Sequence, residues 1–68
     1  MKKNLKLIGY ETDLKLTINY LKLNKVLKNV GYIRKSGYLH SVSVSLKIDK
    51  SSAIDLIKSR FGDFIKIK

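Results

Sequence analysis

The chain has 68 residues, with fifteen Lys and Arg against five Asp and Glu, a net charge of +10, no Cys and no Pro. A chain of this size makes one small domain, 1–68, that buries only about 60% of the surface its unfolded form exposes, which argues against a spacious catalytic cavity. The lack of Cys excludes disulfides and thiolate metal sites, and so large a charge, which opposes compaction by self-repulsion, points to a polyanionic partner.

Leu5 and Leu7 alternate with Lys6, the period of a half-buried first strand over 4–10. Thr12 or Asp13 can then cap a helix on which Leu16, Tyr20, Leu23, Leu27 and Val30, joined by Val26, recur at helical spacing. Gly31 falls where a left-handed helix cap is wanted, so the helix is expected to run to Val30. Its first half also fits a strand, since Leu14, Leu16, Ile18 and Tyr20 alternate with Lys15, Thr17 and Asn19. The alternative is therefore an N-terminal β-hairpin with a helix shortened to about 21–30. If this stretch is helical, Leu14, Ile18 and Leu21 form a second apolar face, which implies a homodimer contact or burial on two sides.

Past Tyr32-Ile33-Arg34 and the turn-like Lys35-Ser36-Gly37, the run from Tyr38 to Ile48 is the clearest strand. Tyr38, His40, Val42, Val44, Leu46 and Ile48 share one face, and Leu39, Ser41, Ser43, Ser45 and Lys47 share the other. Asp49 or Ser51 caps a second helix bearing Ala53, Ile54, Leu56, Ile57 and Phe61, which Gly62 stops before a last strand, Phe64-Ile65-Lys66-Ile67. The expected fold is thus α+β, a ferredoxin-like βαββαβ unit whose antiparallel sheet carries two helices on one face. The Ser-rich side of the third strand is left open to a partner or another subunit.

No acid lies between Asp13 and Asp49. On the expected first helix Lys15, Lys22 and Lys25 fall in one sector with Lys28 at its edge, and Arg34 and Lys35 follow in the hairpin. These six are the candidate nucleic-acid-binding residues, since such a surface neutralises phosphates without reading sequence. Lys35-Ser36-Gly37-Tyr38 resembles the basic-Gly-aromatic start of the RNA-recognition-module strand. The alternation, however, sends Tyr38 and His40 to the core side and puts serines where bases would stack.

His40 is the single histidine and reads as a core or rim residue, while Glu11 and Asp13 read as helix-capping acids. There is no Gly-rich phosphate loop or nucleophile elbow, so no catalytic residue, metal site or cofactor is assigned. No apolar run approaches the ~18 residues of a membrane span. The stretch after Met1-Lys2-Lys3-Asn4 is broken by Lys6 and Glu11, too short for a signal sequence. A soluble cytoplasmic protein is expected.

Residues 20–40 carry a family resemblance. The run from Tyr20 through Val30, Gly31 and Tyr32, followed by Gly37 and Leu39, resembles the helix-Gly-aromatic-strand passage of VapD-like proteins. With the small CRISPR-associated proteins of similar fold, these are ferredoxin-like, often dimeric and in some members cleave nucleic acid. The resemblance implies that the family's acid at the end of strand one corresponds to Glu11 or Asp13, with Gly9-Tyr10 interrupting the usual pattern.

Three functions follow. The first is a non-enzymatic module that grips the phosphate backbone of DNA or RNA. The second is an inhibitor or adaptor docking its basic face on an acidic, nucleic-acid-processing protein. The third is a small toxin-type ribonuclease using His40 or the Glu11/Asp13 pair.

Overall fold

Alternation in the first strand separates Leu5 and Leu7, both buried, from the exposed Asn4 and Lys6, and it propagates through the sheet. A computed structural model gives the protein's structure and describes residues 3–68, with Ser36 described through its backbone alone. The elements are β1 (Asn4–Gly9), α1 (Glu11–Leu23), β2 (Leu27–Val30), β3 (Arg34–Ser36), β4 (Leu39–Leu46), α2 (Lys50–Phe61), a 3-10 turn (Gly62–Phe64) and β5 (Lys66–Ile67). The fold is α+β, with two helices and an antiparallel sheet of five strands. It has one strand more than the expected βαββαβ order.

In the sheet the order is β2-β4-β1-β5, and β3 also pairs with β4. Val44 is bracketed by Leu5 and Val30, and Ser41 by Ile8 and Arg34, so β2 and β3 both lie on the β4 edge opposite β1. The register slips between Leu27 and Asn29, and the chain leaves strand geometry at 31–33. There the Gly31 N–H still donates to the Ser43 carbonyl, at 2.8 Å. A Cβ on Gly31 would stand 3.0 Å from that same oxygen, so only glycine lets the edge come this close without displacing β4. Gly37 and Tyr38 form the two-residue hairpin turn, and φ +69° at Gly37 is the first-position geometry of a type II′ turn.

The first helix ends earlier than the sequence predicts. Val26 N–H donates to Leu21 C=O and Lys25 N–H to Lys22 C=O, with Lys25 left-handed at φ 58°. That is a Schellman stop, with Leu21 and Val26 both buried, and it is built without the usual glycine. Leu27 and Val30 consequently belong to a strand, and Gly31 caps no helix. Residues 14–20 are helical, so the hairpin alternative is not adopted. The buried stripe of α1 is Leu14, Thr17 and Leu21, whereas Leu16 and Leu23 of the expected core face are 54% and 74% exposed. Thr17 is accommodated because its hydroxyl donates to the Asp13 carbonyl at 2.8 Å.

α2 starts and stops as expected. The Asp49 carboxylate accepts from the Ser52 N–H at 3.2 Å and from its hydroxyl at 2.9 Å, and Gly62 closes the helix with φ 59°. Leu14, Leu21, Ala53 and Ile57 from the helices join Leu5, Leu7, Val42, Val44 and Leu46 in one core. Tyr20 and Phe61 meet edge to face between the helices at 5.7 Å, with the Arg60 guanidinium 5.9 Å from the Tyr20 ring. Both helices therefore cover the same side of the sheet.

Candidate functional site

Residues directly opposite in an antiparallel pair carry their side chains on one face. Asn4 faces Ser45, Lys6 faces Ser43 and Ile8 faces Ser41, and the Ser45 hydroxyl donates to Asn4 Oδ1 at 3.0 Å. From β5, Lys66 is opposite Ile8, and Lys68 exchanges two backbone hydrogen bonds with Lys6. From the far edge, Arg34 is opposite Ser41 and Asn29 opposite Ser45. The side of the sheet without helices is thus a floor of Ser and Asn, with Ile8 among them, crossed by Lys6, Arg34, Lys66 and Lys68.

Two clefts are cut into this floor. One, about 360 Å³, is lined by Lys6, Tyr32, Arg34, Ser41 and Ser43. The other, about 580 Å³, gathers Lys3, Lys28 and Lys47 around Asn4, Asn29 and Ser45. Neither contains an acid. The five acids all sit in or beside the helical segments. Glu11 and Asp13 are in the first turn of α1, Asp49 caps α2, Asp55 lies within α2 and Asp63 in the 3-10 turn. Acids at helix starts favour the positive end of the helix dipole, and confining them there leaves the strands with none among the described residues.

The six predicted cations do not form one stripe. Lys15 and Lys22 ride on α1, on the helical side of the sheet, and Lys15 Nζ lies 3.7 Å from Glu11 Oε1. Lys25 occupies the left-handed turn. Lys28 and Arg34 reach the two open-face clefts, and Lys35 is opposite His40 on the other face of the hairpin. Lys6, Lys66 and Lys68 are not among the predicted six, although Leu5-Lys6-Leu7 and Ile65-Lys66-Ile67 advertise outward lysines; only strand register places Lys6 beside Ser43, with Lys66 and Lys68 one strand further out across β1.

Tyr38 is not a core residue, because it falls in the turn and is 83% exposed. Tyr10, Tyr32 and Phe64 are exposed as well, with Tyr32 at 89%. Phe64 and Tyr10 border a smaller recess with Ile8 and Leu39 beside the open face, which Asp63 and Lys66 also line. Another cleft, about 620 Å³, lies beside β5 and α2, where Leu5, Ile54, Ile65 and Ile67 are joined by Lys50, Lys58, Lys66 and Lys68 and by the carboxylate residue Asp63. That lining suits a polyanion less well than the acid-free clefts do.

His40 Nε2 stands 3.9 Å from Glu11 Oε2, where the start of β4 meets the start of α1, and His40 Nδ1 is buried with no hydrogen-bond partner among the described residues. Among the described residues no group of three His, Cys, Asp or Glu is arranged to hold a metal ion, and no helix is long and apolar enough to cross a membrane. The chain matches no protein-family model, and no curated protein or solved structure matches it.

Proposed function

We propose that this protein is a non-enzymatic nucleic-acid-binding module that grips the phosphate backbone on the helix-free face of its sheet. The observation that carries this reading is the segregation of acids: Lys6 and Arg34 line one acid-free cleft of that face and Lys3, Lys28 and Lys47 the other, with Lys66 and Lys68 at the β5 edge, while the five acids sit in or beside the helical segments, Asp63 coming nearest at that edge. Hydroxyl and amide groups beneath the cations supply further hydrogen bonds to phosphate oxygens, which position a strand without reading its sequence. In the same reading β2 and β3 are two halves of one interrupted edge strand, which reduces the element order to the ferredoxin-like βαββαβ unit with its helices on one face.

Binding of labelled DNA and RNA across a salt series tests the proposal. Each neutralised phosphate is expected to contribute about −0.7 to the log–log slope for a single strand and about −0.9 for a duplex. A flat slope, or no binding at low salt, would exclude it. A second reading, a small ribonuclease, is favoured by the 3.9 Å approach of His40 to Glu11. It requires RNA cleavage that disappears in both His40→Ala and Glu11→Gln while the fold persists; cleavage indifferent to both substitutions excludes it.

A further inference from the structure

The interruption of the edge strand at 31–33 is more than a flaw in the sheet. Gly31 pins the chain to the Ser43 carbonyl, the strand resumes at Arg34, and between them Tyr32 stands 89% exposed, where its ring contributes nothing to the core. The cleft at this break brings together one aromatic ring, two cations, Lys6 and Arg34, and two hydroxyl side chains, Ser41 and Ser43. At about 360 Å³ it is at the small end of ligand-binding clefts, which run from about 300 to 1,000 Å³. An aromatic face beside a pair of cations matches a nucleotide in composition, with a flat base on one side and a phosphate on the other.

We infer that this break is a single-nucleotide subsite in which Tyr32 stacks on an unpaired base while Lys6 and Arg34 hold the adjacent phosphate, making the protein selective for single-stranded over double-stranded nucleic acid. The inference rests on the phosphate-binding reading and adds the form of the substrate to it. Bases within a duplex have their faces covered by neighbouring pairs, so a protruding ring reaches one only by unstacking a step, at a cost of about a few kcal/mol. In a single strand the base face is free, and stacking is sequence-tolerant because every base has one. Gly31, where a Cβ would stand 3.0 Å from the Ser43 carbonyl, holds the chain against β4 immediately before the exposed Tyr32.

The test compares Tyr32→Ala and Tyr32→Phe with the unmodified chain, using labelled oligothymidylate and oligouridylate of about 12 nucleotides and a mixed-sequence duplex of the same length. Tyr32→Ala is expected to weaken single-strand binding about 5- to 150-fold, to leave duplex binding and the single-strand salt slope unchanged, and to be rescued by Tyr32→Phe. Equal affinity of Tyr32→Ala and the parent for single strands overturns the stacking role. So does an equal loss on single strands and duplex, or a loss in Tyr32→Phe as large as in Tyr32→Ala. Salt-dependent binding that ignores Tyr32 removes this inference but leaves the phosphate-binding reading standing. Absence of salt-dependent binding to all three probes removes both.

Discussion

β4 has eight residues and two destinies. Val42, Val44 and Leu46 are at most 3% exposed beneath the helices, while Ser41, Ser43 and Ser45, one position out of phase, floor the open face. Because side chains alternate, a single strand can supply the core on one side and a polar platform on the other with no intervening layer. The same division runs through β1, where Leu5 and Leu7 are buried and Lys6 is not. Stability and the proposed binding are therefore carried by different residues of the same strands, and each can be perturbed separately.

The largest expected effect is on the covered face. Leu7→Ala should lose about 2–5 kcal/mol of unfolding free energy, enough to leave so small a domain largely unfolded, whereas Ser43→Val on the open face should stay within about 0.5 kcal/mol. Denaturant titration checks both, and equal losses would dissolve the distinction between the faces. Next, Lys6→Gln should make the salt slope for a single strand shallower by about 0.7, while Lys22→Gln on the helical side should leave it unchanged. A slope that responds to Lys22 and ignores Lys6 would move the interface to the helices.

A smaller effect concerns the end of α1. Lys25 adopts a left-handed conformation that disfavours an L side chain, so Lys25→Gly should stabilise the fold by roughly 0.5–1 kcal/mol after the glycine's greater unfolded-state freedom is subtracted. A destabilised variant would mean that the lysine side chain contributes more than its backbone conformation withholds. The mildest effect is at the other helix. Hydrogen bonds from the Ser52 hydroxyl, then from its N–H, hold the Asp49 carboxyl below the ordinary value of 3.8. A depressed folded-state pKa gives stability that is present above 3.8 and lost as pH falls through the folded-state value. The margin of the parent chain over Asp49→Ala, measured by thermal melting, should therefore shrink in acid and remain constant above that range.

How much of this was legible beforehand depended on whether a signal was local. The Asp49 cap, the Gly62 stop and the alternation in β1 and β4 are patterns of adjacent residues, and they hold in the structure, although the β4 strand spans Leu39–Leu46 and leaves Tyr38 in the turn. The end of α1 was hidden because a lysine occupies the position at which glycine usually announces a Schellman stop. The buried side of α1 was hidden because two faces are similarly apolar and the one that packs contains Thr17, whose polarity argues for exposure until its hydroxyl is seen to be paired. The candidate site was legible as charge but not as a place. Losing the long helix scattered its lysine stripe over a helix, a turn and an edge strand, while the cations that gather on the sheet come from residues distant in sequence.

By itself the sequence determined the α+β class, the two-faced strands, the capped second helix and an excess of positive charge on a chain without cysteine. Each follows from short-range chemistry: period, capping and composition. Tertiary structure alone decided which face of α1 is buried, that residues 27–30 join the sheet, and that Lys6, Tyr32 and Arg34 meet over Ser41 and Ser43. The hydrophobic effect is non-directional and drives burial without choosing between similar faces, and strand register is what brings distant side chains side by side.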